Sequence, residues 1–593
     1  MIPLPSGANM ALSVLYPREG FLRAPPFTTN VPPLSVPCHT GPEADSVGVV
    51  PPELATTICQ ARIGGSFWAP RPSFGRPIIL ALCSRVSAQA AERFVSGLMR
   101  RFPAQALLLV TAAANHGARR LARRTGIAEF LLPADPHGLL DHAEEIHQLG
   151  PGDIAILGAL RGLPTRWYAR PQDTDGHVLI DQDIRTGLAQ AYRYVDPFTG
   201  MPATLAATID LLLLWKDILT QNRKIALCGG MSLWKRRRMA RFFSSAPGHP
   251  PFGNHVSAAV RASLAHGGTQ AIAAWATRIP HRLETTIRRE EVPLWRVEDG
   301  FVRSVGLGSD LRTPASIILD KRGIYYDPRQ PSDLEHILAT TPFDDRIRQR
   351  ARTIIDRLVR DGISKYGRSA GGGSRPDWPA QTSRTVILVP GQVADDLSVR
   401  CGGGEIQGNL ALLQAVRERN PAAFVIYRPH PDVDAGHREG RLDDAIIRRY
   451  ADHVSRGGAI TATVSHVDEV HTLTSLAGFE ALLREIKVVT YGVPFYAGWG
   501  LTIDRGIIPA RRNRTLTIEE LAAGTLLIYP RYLDPVTELP CPLETLLSRL
   551  GDEKLWRPTP LMRVRRLQGR MKTLIAAGRR RQAYKNQGSE RPA

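Results

Sequence analysis

Short apolar runs rich in β-branched residues recur along this chain, and almost every one breaks abruptly into glycine, proline or charge. "KIALC" (224–228) meets Gly229-Gly230, "PLWRV" (293–297) meets Glu298-Asp299-Gly300-Phe301, and "VILV" (386–389) meets Pro390-Gly391-Gln392 and then Asp395-Asp396. "FVIY" (424–427) meets Arg428-Pro429-His430-Pro431-Asp432, "EVHTL" (469–473) meets Thr474-Ser475, and "KVVTY" (487–491) meets Gly492-Val493-Pro494. Helical patterns separate the runs, which predicts α/β architecture with largely parallel sheets. In such sheets ligands bind beyond the carboxyl ends of the strands, so the polar loops are expected to converge on one crevice.

A chain of 593 residues exceeds one core and leaves room for about three or four domains. Residues 1–75 are rich in Pro, Gly and Ser without periodicity and are expected to be disordered. Strands and helices alternate over 76–222. "YGRSAGGGSRPDWPAQTSR" (366–384) has linker composition and separates one α/β half at 223–375 from another at 385–550; residues 551–593 form a basic tail. Two facing Rossmann-like halves of this kind make the GT-B arrangement. There is also an internal echo: "EEIHQLGPGDIAILGALRGLPTRWYARP" (144–171) resembles 468–500, and "YRYVDPFTG" (192–200) resembles "YPRYLDPVT" (529–537). Residues 76–222 therefore read as a degenerate partial copy of the later module.

A net charge of +20 favours anionic partners. Six scattered cysteines show no zinc spacing and fit a reducing compartment, so no metal site is expected. No apolar run approaches the ~20 residues of a membrane span, and no signal peptide is evident. The basic segment 563–587 suits an anionic lipid surface; without interleaved aromatics or a recognised nucleic-acid fold, lipid ranks above nucleic acid.

Several loops carry candidate chemistry. Thr474 or Ser475 is placed to cap a helix whose free N–H groups face a phosphate, with Glu480 early in that helix for ribose hydroxyls; the plain alternative is a capped core helix. Arg428 and His430, in a loop stiffened by Pro429 and Pro431, form a preorganised anion site, against the alternative of a surface turn. Asp395-Asp396 and Glu298-Asp299 offer paired carboxylates for acid and nucleophile, or equally solvated turns. "GFVRSVGLGSD" (300–310) contains a G-x-G without the full dinucleotide fingerprint and is not read as an NAD site. "YGVPFYAGWG" (491–500) reads as cleft wall or sugar platform, or as a tight turn packed by aromatics.

Six ordered motifs carry a family resemblance: "LWRVEDGFVRSVGLGSDL", "ASIILDKRGIYYDPRQPSDLE", "VILVPGQVADD", "YRPHPDVDAGHREG", "DEVHTLTSLAGFEALL" and "TYGVPFYAGWGLTIDR". Together they resemble the bacterial capsule polysaccharide β-Kdo transferases of the KpsC type over roughly 223–540. The resemblance implies a retaining enzyme that transfers Kdo from CMP-Kdo to a phosphatidylglycerol-linked acceptor through an aspartate adduct, without metal or other cofactor. It implies work at the cytoplasmic face of the inner membrane, beside other capsule assembly proteins. Asp396 matches the nucleophile, with Asp395 second. Arg428, His430, Thr474, Ser475, Gln392 and Glu480 match the donor site, and Arg303, Tyr496 and Trp499 the acceptor or cleft wall.

The chain also departs from the pattern. Residues 76–222 lack E-D-G-F, P-H-P-D and the Thr-Ser…Glu set, so that copy is expected to be dead and transfer to produce one linkage. "WATR" (275–278) stands for W-G-x-K, Ala394 for an acid and Glu485 for a glycine. Two other readings compete: a CMP-releasing glycerophosphotransferase of teichoic-acid type, and a non-catalytic scaffold of capsule assembly.

Overall fold

The computed structural model describes residues 15–38, 49–83, 86–173, 175–265, 270–305, 312–365, 367–368, 378, 383–434 and 438–556. The G-x-G at 306–308 and the basic segment 563–587 lie outside the described residues, as does most of the glycine-rich stretch after 368. The chain divides into two compact units, residues 1–223 with 244–249, and 224–243 with 250–593.

In unit 1, β1 (Ser35–Pro37) and α1 (Pro52–Gln60) precede a repeating α/β stretch. It comprises β2 (Ile78–Leu82), α2 (Ala88–Met99), β3 (Leu107–Ala112), α3 (His116–Thr125), β4 (Ala128–Leu132), β5 (Ala143–Leu149), α4 (Asp153–Leu160), β6 (Thr165–Tyr168) and β7 (His177–Val178). The sheet order is β4-β3-β2-β5-β6-β7, parallel except for β7. β8 (Tyr192–Val195) pairs antiparallel with β1 and with β9 (Pro202–Ala203), and α5 (Leu205–Asn222) follows. The expected disorder of residues 1–75 is corrected here for 15–38 and 49–75. Leu15, Phe21, Phe27, Leu34, Ile58 and Ile63 are buried. Ile58 is buried by the one short helix α1, and the others by irregular, proline-stiffened backbone with no period for a pattern to reveal.

Unit 2 holds two sheets. The first joins β10 (Ile225–Gly229), β11 (Ala271–Trp275), β12 (Leu294–Asp299) and β13 (Ser316–Asp320), with α6 (Leu233–Phe242) after β10. A short hairpin, β14 (Ile363–Ser364) and β15 (Gly367–Arg368), leads to the second sheet. That sheet contains β16 (Val386–Pro390), β17 (Phe424–Arg428), β18 (His453–Val454), β19 (Glu469–Thr472), β20 (Lys487–Thr490) and β21 (Ile503–Asp504), in the order β18-β17-β16-β19-β20-β21 and parallel throughout. α7 (Leu397–Gly402), α8 (Pro431–Asp434) and α9 (Leu476–Leu482) start just beyond β16, β17 and β19.

The chain then returns: β22 (Pro530–Leu533) pairs with β13, β23 (Pro540–Cys541) pairs with β22, and α10 (Leu543–Leu550) closes this return. The boundary at 385–550 is thereby corrected, because residues after about 529 complete the first sheet. That pairing is antiparallel and spans some two hundred residues of chain, beyond the reach of local pattern.

The second sheet of unit 2 and the sheet of unit 1 share one strand order. They also share a His-Tyr-Glu trio in which the His and Tyr are buried. His471 Nδ1 lies 3.3 Å from the Tyr491 hydroxyl and its Nε2 lies 2.8 Å from Glu469; His147 Nδ1 lies 3.0 Å from the Tyr168 hydroxyl and its Nε2 3.2 Å from Glu145. An Asp-Pro-x-Thr turn after β8 and after β22 repeats too, Thr199 donating to Asp196 and Thr537 to Asp534.

Candidate active site

A cavity of about 530 Å³ opens in unit 2 at the carboxyl ends of the strands of both sheets. Glu298 at the end of β12 lines one side, with Thr277 and the tyrosines Tyr325 and Tyr326. Gln392, Asp396, Arg428, His430, Thr474, Ser475 and Glu480 line the other. The loops after β12, β16, β17 and β19 thus meet in one place.

Each carboxylate has its own environment. Glu298 is half-buried, and desolvation of its carboxyl, reinforced by the neighbouring Asp299 charge, pushes it up to about 7. Asp299 does not line the cavity: its carboxylate pairs with Arg303 at 2.8 Å and Lys235 at 3.8 Å. Burial pushes Lys235 down to about 8, and its ammonium sits 3.4 Å from the centre of the Trp275 ring. Asp396 is exposed to the cavity and caps α7, accepting the Ser398 N–H at 2.9 Å. Asp395 does not line the cavity and pairs with Arg438 at 3.1 Å.

The donor-type residues divide into those facing the cavity and those holding the loops. Gln392 spends its carboxamide on the β19–α9 loop: its Nε2 donates to Thr474 Oγ1 at 2.9 Å and its Oε1 accepts the Thr474 N–H at 3.1 Å. Ser475 caps α9 through the Ala477 N–H at 3.2 Å. In the P-H-P loop, the His430 carbonyl accepts the Val433 and Asp434 N–H groups, and its Nδ1 accepts the Asp432 N–H at 3.2 Å. Burial lowers the imidazole below its usual range, so a neutral ring offers Nε2–H. Arg428 is 7% exposed, and its guanidinium donates to Ser455, Thr463 and the carbonyls of Gly457 and Gly458. From the end of β17 it braces the segment after β18 instead of presenting a spare fork.

Three readings of the wall are corrected. Arg303 is 1% exposed, bound to Asp299 and the Arg312 carbonyl. Tyr496 is buried and donates to the Ser475 carbonyl at 2.5 Å, its ring packed where a side chain on Gly478 would stand. Trp499 is buried and donates to the Phe495 carbonyl at 2.9 Å. None of the three lines the cavity; Pro494 and Phe495 from the same motif do. Phe495 stacks into Phe301 and Phe479 at 4.9 and 5.4 Å, so its neighbours serve as backing.

Glu480 is enclosed, and burial pushes it up to about 7 against the opposing influence of Arg484 and of the Lys365 N–H that donates to it. A carboxyl raised in the folded state contributes stability below its unfolded value near 4.5 that is lost as pH rises through about 7. Glu480→Gln is therefore expected to be more stable than the parent by on the order of 2 kcal/mol at pH 8, with the difference vanishing near pH 4.5. Urea unfolding at the two pH values tests this; equal stability at both would sink it.

Glu485 sits just beyond α9 at φ +58°, where the Ile486 N–H reaches back to the Ala481 carbonyl. This is the left-handed position that favours glycine. Glu485→Gly is expected to add about 0.5–1 kcal/mol in thermal unfolding, and a loss of stability would contradict it.

Sequence reasoning missed Lys365, which lines the cavity from the tip of the β14–β15 hairpin. The signal was the short alternation in Ile363-Ser364-Lys365, hidden beside the glycine-rich stretch. Among the described residues, no three of His, Cys, Asp and Glu gather as a metal-ligand set, and no helix is long and apolar enough to cross a membrane.

Fold and site together describe an α/β protein with an acidic, loop-built cleft between two sheets. The sequence model of the family described as "Capsule polysaccharide biosynthesis protein" matches residues 270–357 and 346–532. The "Capsule polysaccharide modification protein LipA" of Neisseria meningitidis serogroup A / serotype 4A is 44% identical over 411 residues, covering 66% of this chain and 56% of that protein. The "Lipopolysaccharide-processing protein LpsZ" of Rhizobium meliloti is 37% identical over 314 residues, 53% of this chain and 71% of that protein. Among solved structures, "Thermosulfurimonas dismutans KpsC, beta Kdo 2,7 transferase" is 35% identical, covers 55% of this chain and 99% of its own, and superposes with a TM-score of 0.44. The chain belongs to the capsule polysaccharide biosynthesis protein family, in keeping with its resemblance to the KpsC type. It spans about half the length of the LipA relative it matches.

Proposed function

We propose that unit 2 is a GT-B glycosyltransferase that moves β-Kdo from CMP-Kdo to a phosphatidylglycerol-linked acceptor in capsule linker synthesis, with retention and without a metal. The observation that carries this reading is the pair of unlike carboxylates on one cavity, Glu298 half-buried and raised to about 7, Asp396 exposed and capping a helix. The sugar in this reading agrees with the name of the Thermosulfurimonas relative, a β-Kdo transferase, and the CMP donor follows from the resemblance of the motifs.

Asp396 attacks the anomeric carbon, and the bond to the phosphate oxygen breaks with release of CMP. A phosphate leaves without a proton, so a fixed donor suffices here, and His430 Nε2–H is placed to supply it. Ionised Glu298 then takes the proton of the acceptor hydroxyl as that oxygen displaces Asp396 from the sugar. Two inversions restore the configuration. Glu480 is assigned to the ribose. Work at an anionic membrane surface and alongside other capsule proteins belongs to the same proposal.

Unit 1 is proposed to be the degenerate copy. It keeps the strand order and the His-Tyr-Glu trio of the second sheet, and the Asp-Pro-x-Thr turn that follows β22 in the first. Its α4 begins with Asp153, paired to Arg23, and buried Ile156 lies as far beyond His147 as Glu480 lies beyond His471. An acid already occupies the helix N-terminus, and the ribose partner is gone. Titration calorimetry with CMP is expected to give one site per chain, and two sites of similar affinity would overturn the copy's loss of function.

The whole reading is tested by incubating the protein with CMP-Kdo and a β-Kdo lipid acceptor in EDTA, following CMP release and product mass. One added Kdo in β linkage supports it. CMP bound without transfer would favour the scaffold reading, and transfer from a CMP-glycerol donor the phosphotransferase.

A further inference from the structure

We infer that Lys365 is a specificity-determining residue of this cleft, its ammonium holding an oxyanion of the donor where sugar meets nucleotide. The inference rests on the donor reading above and assigns the cation that reading lacks. Among the described cavity residues the basic side chains are Arg428, His430 and Lys365. Arg428 is occupied by two hydroxyls and two carbonyls, at 2.6–3.2 Å. His430 has its Nδ1 filled by a backbone N–H and burial favours its neutral form. The cavity meanwhile presents the carboxyl groups of Glu298, Asp396 and Glu480. An anionic donor entering this lining meets like charge unless a cation compensates.

Lys365 stands where that compensation is needed. Its charge acts on Glu298 at the proposed reacting end and on Glu480 at the proposed ribose end, favouring the ionised form of both. Its backbone fixes the position: the carbonyl accepts the Arg303 N–H at 3.0 Å, and its N–H donates to the Glu480 carboxylate. The hairpin is thereby tied to β12, through Arg303 and Asp299, and to α9, through Glu480. Gly367 enables the close approach, with φ +108° and space such that an added Cβ would lie 2.9 Å from Val305 Cα. A lysine in a sequence of linker composition is thus held at the junction of the two walls.

The test compares Lys365→Met and Lys365→Arg with the parent by calorimetry against cytidine, CMP and CMP-Kdo, with thermal unfolding as the folding control. In Lys365→Met, cytidine affinity is expected to stay within about threefold while that for the anionic ligands falls at least about tenfold. Lys365→Arg keeps most of the affinity. An equal fall for CMP and CMP-Kdo assigns the phosphate, and a larger fall for CMP-Kdo assigns the sugar carboxylate; either supports the inference. Unchanged affinity for all three ligands, or an equal loss for cytidine, overturns it. A parent protein that binds no CMP overturns the donor reading and this inference together, whereas failure confined to the variant comparison leaves the donor reading standing. A further sign is kinetic: without this cation Glu298 ionises less readily, so the acid limb of the pH–rate profile is expected to move upward in Lys365→Met, which a purely structural role would not produce.

Discussion

Asp396→Asn is expected to lower kcat/KM for Kdo transfer by at least ~10³-fold while leaving stability and CMP affinity nearly unchanged. The separation follows from the two jobs of this side chain. As the cap of α7 it needs only an oxygen to accept the Ser398 N–H, and Asn caps a helix about as well as Asp. As nucleophile it needs an ionised carboxylate, which an amide does not supply. Asp395→Asn is the internal control: that carboxylate is half-exposed, pairs with Arg438 and lies outside the cavity, so transfer is expected to stay within about threefold. Steady-state rates with CMP-Kdo, together with urea unfolding of both variants, make the comparison. Full activity in Asp396→Asn would remove this residue from the mechanism, and inactivity in Asp395→Asn alone would move the nucleophile by one position.

Why that adjacent pair is distinguishable in the structure and not in the sequence shows where pattern stops informing. β16, β17, β19 and β20 each end at or within a residue of where their apolar runs end, because burial on both faces demands uninterrupted apolar residues and the break marks the sheet edge. The loops that follow must then lie at one edge, which is why Asp396, His430, Ser475 and Glu480 share a cavity. Side-chain direction within a loop obeys no such period. Arg303, Tyr496 and Trp499 lie inside motifs whose neighbours line the cleft, yet face inward and support it. Arg428 was legible as a cation at a strand end, but its partners on the loop from 455 to 463 are set by tertiary contact. The same limit hid the pairing of β22 with β13 and the buried apolar side chains of the N-terminal segment, whose order comes from packing without repeat.

Glu298→Gln tests the other half of the chemistry and has a distinct signature. The first displacement expels a phosphate and requires no proton at the leaving oxygen, so it is expected to survive the change. The second requires a base for the acceptor hydroxyl, and losing it costs roughly 10²–10⁴-fold. The variant is therefore expected to release about one CMP per active site in a burst and then stall, with a Kdo residue attached to Asp396 detectable by intact-protein mass. In the parent, burial and the Asp299 charge hold Glu298 up to about 7. The base form fills as pH rises through that value, so the transfer rate is expected to climb between pH 6 and 8 and then level off. Glu298→Gln removes that limb, because the amide does not titrate. A variant that releases no CMP at all would place Glu298 in the first step, and a variant with parental turnover and the same pH limb would exclude it as the base. The environment of Glu298 argues for the base: a carboxylate left in water near 4.5 is too weak to take an alcohol proton, and enclosing it beside Asp299 raises its affinity for that proton within the working pH range.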